Sequence, residues 1–323
     1  MEHNKLLEML KAAPGEYISG EEISRRLSIS RTAVWKQINK LREEGYEFEA
    51  VSRKGYRLVG SPDKLEEAAI GAMLQTSGFA RKLRLLDVTS STQEAARLLA
   101  EEGAAEGTLV IAEEQTGGRG RQGRMWFSPP HKGVWMSLLL RPRRPLAFAP
   151  QLTLLTAVAV CRAIRKVSGA DAGIKWPNDI LIGGKKVCGI LIESAGEDEM
   201  IKYCIAGIGI DVNLEPEDIP AELRSVATSL KIESGRHIDR AELIAAVMNE
   251  LEQLYKLHEE EGFAPIRLLW EALSVTLGRR VTVWGGRGDI SGVAKSLDES
   301  GALVLQDEHG SDVKIFSGDV QLG

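Results

Sequence analysis

Between Gln115 and Trp126 the chain reads Q-T-G-G-R-G-R-Q-G-R-M-W, and residues 117–124 alone hold four glycines and three arginines. Glycine lets backbone amides come close to a ligand. Arginine adds a permanent charge and forked donors that match a phosphate or a carboxylate. Three like charges this close together repel one another unless an anion sits among them. The run lacks the G-x-x-x-x-G-K-[ST] order of a Walker loop. It follows an apolar, strand-like stretch, Thr108–Ala112, and therefore reads as an anion-gripping loop on a folded scaffold.

The elements that must carry this loop fall into three blocks. Residues 1–62 read as three helices and a two-stranded ribbon, with Ser61-Pro62 as the linker. Residues 63–277 alternate helices with apolar strands. Residues 278–323 are short strands separated by Gly-rich turns (Gly285-Gly286, Ser300-Gly301, His309-Gly310), the pattern of a small β-barrel. A barrel of that size has too little core to stand alone and is expected to dock on the central block.

The first block has a chemistry of its own. Leu6, Leu7 and Leu10 stripe one helix, and Ser19 with Glu22 has the spacing of a capping box for the next. In the third helix Val34, Ile38 and Leu41 face inward, while Arg31, Thr32, Lys36, Gln37 and Lys40 are assigned to the outward face, with Ser30 at its entry. Basic and amide groups on such a helix reach phosphates and base edges in a major groove. Arg53 and Lys54, at the tip of the ribbon, suit a wing that grips the backbone. The formal charge of the 323-residue chain is −5, so DNA contact must come from this local patch. One module makes few phosphate contacts, so useful affinity calls for a dimer.

Other classes are set aside. Cys161, Cys188 and Cys204 form no disulfide framework and no metal-ligand spacing, consistent with buried thiols in a reducing cytosol. The N-terminus has no signal-peptide core, and the apolar run Leu152–Val160 is shorter than the roughly 20 residues of a membrane span. A cytoplasmic protein with no membrane partner is expected.

Gly118–Trp126 resembles the G-R-G-R-x-G-R-x-W signature of biotin protein ligases. Further matches follow along the chain: Ser91-Thr92-Gln93 upstream, then K-W-P-N-D over Lys175–Asp179. Beyond these come K-x-x-G-I-L over Lys186–Leu191 and G-I-G-I-D-V-N over Gly207–Asn213, where the family pattern has N for Asp211. The resemblance covers nearly the whole chain and is closest to ligases that double as biotin operon repressors. It implies an α+β fold: a winged helix-turn-helix, a mixed-sheet biotinyl/lipoyl-ligase domain of the class II synthetase-like kind, and a small SH3-like barrel.

The implied reaction joins biotin to ATP as biotinyl-5′-AMP, then transfers biotin to a lysine of a biotin carboxyl carrier protein. By resemblance Arg119, Arg121 and Lys186 are catalytic, lying nearest the carboxylate and the α-phosphate. Ser91, Thr92, Gln93, Gln115, Gly120 and Gly189 join them around biotin. Arg124, Trp126, Lys175, Asn178 and Asn213 are assigned to ATP or the adenylate, with Trp126 stacking on adenine. Magnesium is implied by the polyphosphate, with Asp179 and Asn178 either as its ligands or as caps of the K-W-P-N-D turn. The residues by themselves leave other roles open: Ser91 or Thr92 as a helix cap, Trp126 as a core aromatic, Lys175 as the partner of Asp179. A carboxylate at Asp211 would repel phosphate unless metal-bound or turned away, so Asn213 is favoured as the ligand contact. The partners implied are operator DNA, the carrier protein and a second copy once adenylate is bound. Three rival readings remain. A lipoate ligase lacks the G-R-G-R-x-G-R-x-W run; the others are a sensor without catalysis and a ligase whose winged module is only structural.

Overall fold

The computed structural model describes residues 2–43, 46–52, 54–60, 63–284 and 289–323; Arg53, the Ser61-Pro62 linker and the Gly285-Gly286 turn lie outside them. The chain divides into two compact units, Met1–Lys64 and Leu65–Gly323.

In the first unit α1 (Glu2–Lys11), α2 (Gly20–Leu27) and α3 (Arg31–Glu43) precede an antiparallel pair, β1 (Glu47–Val51) and β2 (Gly55–Gly60). Ser19 caps α2 by accepting from the Glu22 amide at 3.1 Å. Ser30 does the same for α3, accepting from the Ala33 amide at 3.2 Å. Leu6, Leu10, Ile23, Val34, Ile38 and Leu41 close the core. Gln37 departs from expectation. It is half-buried at the border of the outward face, and its Oε1 is buried without a hydrogen-bond partner.

The second unit begins with α4 (Glu67–Met73), β3 (Lys82–Thr89), α5 (Thr92–Glu101), β4 (Thr108–Gln115), β5 (Gly133–Leu140) and α6 (Ala149–Ser168). It continues with β6 (Gly173–Lys175), β7 (Asp179–Ile182), β8 (Lys185–Glu197), β9 (Met200–Asp211), α7 (Leu230–Ser234), α8 (Arg240–Glu261) and α9 (Phe263–Leu273). The seven strands form one mixed sheet in the order β3-β4-β5-β9-β8-β7-β6, parallel only between β3 and β4. Alternation along the strands sorts their side chains to two faces. Cys204, Ala206, Ile208 and Ile210 of β9 face α6 and α8, while Tyr203 and Ile205 pack toward Ala96 and Ala100 of α5.

Helix α6 is longer than its apolar run suggested. Leu146–Ser168, 23 residues, is long and apolar enough to cross a membrane, but 61% of its apolar window is buried inside the protein. Its apolar surface is thus satisfied by the sheet and the neighbouring helices α8 and α9. The three cysteines are free and buried.

The last strands, β10 (Arg280–Trp284), β11 (Ile290–Leu297), β12 (Leu303–Gln306), β13 (Asp312–Ile315) and β14 (Asp319–Leu322), pair antiparallel in the order β13-β12-β11-β10-β14. Val281, Leu303 and Leu305 belong to the same core cluster as α6 and α9, so this sheet shares its core with the central block. Trp176 ties the two together, its Nε1 donating to the Gly301 carbonyl at 3.3 Å.

Candidate functional site

Where α5 begins, the sheet face that it covers opens into a cavity of about 740 Å³. The floor is made by strand alternation. Past Tyr203 and Ile205 the same face of β9 presents Gly207, Gly209 and Asp211, and β8 sets Gly189 opposite Gly209. The glycines are required by close approach. A Cβ on Gly209 would stand 2.5 Å from Trp126 Nε1, one on Gly189 2.8 Å from Trp126 Cζ3, and one on Gly207 2.5 Å from Gln93 Oε1. Trp126 therefore lies on a bare patch of sheet, with Lys186 Nζ 5.0 Å from its ring centroid.

One end of the cavity is neutral and polar. Gln115 Oε1 accepts from the Thr92 amide (2.9 Å) and hydroxyl (3.1 Å), and Gln115 Nε2 donates to Ser128 Oγ at 2.9 Å. Thr92 Oγ1 lies 2.9 Å from Ser137 Oγ, which donates to Gln93 Oε1 at 3.0 Å. Gln93 Nε2 donates to the Ile205 carbonyl at 3.1 Å. Ser91 occupies the N-cap position of α5, but its side chain makes no capping bond; it lines the cavity instead. Ser137 was not singled out from the sequence, although a hydroxyl inside the apolar run G-V-W-M-S-L-L-L was the available signal.

The cations gather beside this end. Gly118–Trp126 folds as a small hairpin, closed by Trp126 N to Gly118 O (2.9 Å) and Gly120 N to Arg124 O (2.7 Å). Arg121 donates to Asn178 Oδ1 at 3.0 Å, Arg119 stands 4.0 Å from Glu94, and Arg124 pairs with Asp319 of β14. Asp179 holds Lys186 at 2.7 Å and Lys175 at 3.4 Å. Arg119, Gly120, Arg121, Arg124, Trp126, Lys175, Lys186 and Gly189 all line the one cavity.

Two expectations change. Asn213 does not line the cavity: its Nδ2 donates to the Ile238 carbonyl at 2.9 Å and its Oδ1 accepts from the Ile238 amide at 3.0 Å. Both ends of the amide brace the chain ahead of α8. Asp211 is the residue that lines the cavity, and burial pushes its carboxyl well above the ordinary range, with Lys186 opposing. Asp179, expected as a magnesium ligand, is the shared counterion of Lys186 and Lys175. Asn178, the other proposed ligand, bridges Arg121 to the Ile190 carbonyl through its own amide (2.9 Å).

In the first unit Arg31, Thr32, Lys36 and Lys40 are exposed on one side of α3, and Lys54 is exposed at the ribbon tip. Arg31 pairs with Glu21 at 2.8 Å, a solvated contact that costs little to exchange for a phosphate. Trp35, which sequence reasoning passed over, stands 54% exposed among them.

This arrangement matches known proteins. Residues 85–213 match the Biotin/lipoate A/B protein ligase family, residues 2–57 an HTH domain and residues 276–323 the biotin protein ligase C-terminal domain. The bifunctional ligase/repressor BirA of Bacillus subtilis is 48% identical over 318 residues, covering 98% of each chain. The chain belongs to the bifunctional biotin ligase/repressor family. BirA of Escherichia coli is 32% identical over 94% of this chain and 92% of its own. A biotin protein ligase from Aquifex aeolicus, solved with biotin and ATP, superposes with a TM-score of 0.65 at 33% identity, covering 75% of this chain and 99% of that one. The family thus accounts for both units: a ligase in the second and a DNA-binding repressor module in the first.

Proposed function

We infer that the cavity joins biotin to AMP and then to a protein lysine. The observation that carries this reading is the union, in one cavity, of a neutral polar end with the cluster of Arg119, Arg121 and Lys186. The ureido ring of biotin offers both donors and acceptors, which Ser91, Thr92, Gln115 and Ser137 can match. Its carboxylate then points toward the cations.

In the first step a biotin carboxylate oxygen attacks the α-phosphorus of ATP. An acyl–phosphate bond forms, the bond to the β-phosphate oxygen breaks, and pyrophosphate leaves. Two anions must meet while charge builds on the phosphorus oxygens. Arg119, Arg121 and Lys186 supply fixed positive charge where that charge develops, which is usually the largest catalytic contribution. Arg124 holds the departing phosphates once it exchanges Asp319 for them. Lys175 keeps Asp179 from neutralising Lys186 completely. In the second step a lysine amine attacks the acyl carbon, forms the amide, loses a proton and releases AMP. Magnesium would enter with the polyphosphate and offset part of its charge.

For the first unit, α3 enters the major groove of operator DNA and Lys54 grips the backbone beside it. Adenylate orders the Gly117–Gly123 loop, at a backbone cost of roughly 1–2 kcal/mol per residue, and the ordered form dimerises to reach two half-sites. Operator DNA and a carrier-protein substrate place the work in the cytoplasm. The direct test is streptavidin-detectable labelling of a carrier domain by purified protein with biotin and ATP. Absence of both labelling and biotin-dependent ATP–pyrophosphate exchange would leave only a sensor. Limited proteolysis tests the loop: cleavage near Arg119–Arg124 unchanged by biotin and ATP would refute its ordering.

A further inference from the structure

The cations of α3 share their surface with an aromatic ring. Among the described residues of the first unit, Trp35 and Val59 are the large apolar side chains that stand exposed, and Trp35 is the one on α3. Residues three and four apart on a helix lie one above the other. Trp35 therefore has Arg31 and Thr32 one turn before it and Asn39 one turn after it, with the exposed Lys36 beside it. Val34, Ile38 and Leu41 supply the inward face of the helix, and Trp35 takes no part in the core that they close. Its ring stacks on no other ring and lies under no cation among the described residues.

The charges around the ring select what covers it. Lys36 and Lys40 have no ion-pair partner among the described residues, and Arg31 shares only the exposed Glu21. A polyanion suits such a face. The second helix of an HTH unit, which α3 is in the match over residues 2–57, is the one that lies in a major groove. Arginine and lysine on phosphates fix the register there but carry no sequence information. Bases are told apart on the groove floor, where thymine presents a C5 methyl. An indole has one N–H donor and no acceptor, so it lacks the paired bonds with which arginine reads guanine or asparagine reads adenine. What it offers is apolar area.

We propose that Trp35 is a specificity-determining residue of the operator complex, packing its ring on the C5 methyl of thymine in the major groove. This rests on the DNA-facing assignment of α3 and adds to it a base that the helix reads without a hydrogen bond. One methyl taken out of water is worth roughly fourfold in affinity. Neighbouring bases on one strand are about 3.4 Å apart, so a ring as large as indole covers about two of them. Each half-site should then carry a thymine, or a pair of neighbouring thymines, beneath the first half of α3.

The test begins with duplexes selected from a random-sequence pool by the full-length protein with biotin and ATP present. Each thymine of a selected duplex is then replaced in turn by deoxyuridine, which removes the methyl and keeps every hydrogen-bonding group. Wild type should lose about fourfold at about one or two positions of each half-site and almost nothing elsewhere. W35A should bind the intact duplex about tenfold more weakly and be indifferent to deoxyuridine at those same positions. Its salt slope should match wild type, because no phosphate contact is lost, whereas R31A should lower the slope. Equal melting temperatures for wild type and W35A exclude misfolding as the cause. Equal deoxyuridine penalties in wild type and W35A, or an affinity of W35A within about twofold of wild type, would overturn the proposal. Weaker dimerisation of W35A with the deoxyuridine penalties intact would assign the ring to a protein contact and overturn it as well. If R31A and K36A also left affinity unchanged, the DNA-facing assignment of α3 would fall with it.

Discussion

The glycine floor makes a demanding prediction. Gly209→Ala places a methyl 2.5 Å from Trp126 Nε1, 2.7 Å from Cε2 and 3.1 Å from Cδ1. Ordinary carbon contacts begin near 3.4 Å, so the rigid indole must move by about 0.9 Å or the strand must yield. The strand is poorly placed to yield, being paired on both sides, with Trp135 of β5 and with Gly189 of β8. Trp126 closes the hairpin that carries Arg119, Arg121 and Arg124, through its amide on the Gly118 carbonyl. A displacement of about 1 Å in a group that positions reactants can lower the rate by about 100-fold, or about 2.7 kcal/mol of barrier. The assay is biotin-dependent ATP–pyrophosphate exchange, with thermal unfolding as control. We expect kcat/KM to drop by about that factor while the melting temperature changes little, because the methyl enters a cavity and not the core. Activity within about twofold of wild type would show that the bare floor does not position the ring, and the reasoning would be refuted.

Stability, pH and DNA binding offer further tests. Glu113→Ala should destabilise the second unit by about 3–5 kcal/mol, because it removes one side of a buried ion pair with Arg240 (2.7 Å) together with the acceptor of the Leu65 amide (2.6 Å); denaturant unfolding measures this. Burial pushes Glu252 up, but the amides of Phe79, Ser77 and Gly78 outweigh it and hold it at about 2. A depressed carboxyl stabilises above its unfolded value of 4.5 and loses that contribution as pH falls toward about 2. Glu252→Gln should therefore cost about 3 kcal/mol at neutral pH and almost nothing near pH 2, a difference that would be seen by comparing unfolding curves across that range. Arg31→Ala with Lys36→Ala should weaken operator binding and lower its salt slope by about one for each phosphate no longer neutralised, leaving carrier labelling unchanged. If neither DNA affinity nor the slope moved, α3 would not be the DNA-facing helix.

Much of the site was legible because its chemistry is written in consecutive residues. Four glycines and three arginines in one short loop announce an anion site whatever the fold, and the helix periods of α2 and α3 follow from Ser19, Val34, Ile38 and Leu41. Gln37 lies half-buried at the border of α3's outward face, where composition alone does not tell core from surface. Ser137 and the ion pair of Arg124 with Asp319 join residues far apart in the chain, and no local pattern signals such pairs.

By itself the sequence determined which groups would meet an anion, which helix would carry basic residues outward, and that a third block would lean on the second. Tertiary structure decided between neighbours. Asn213 and Asp211 lie two residues apart, and the sequence favoured the first as the ligand contact on charge alone. Strand alternation and the end of β9 reversed that choice: Asp211 completes the cavity face begun by Gly207 and Gly209, while Asn213, past the strand, is drawn into the backbone at Ile238. The direction of a side chain depends on the pairing of strands distant in sequence, and burial then sets whether its carboxyl keeps its proton.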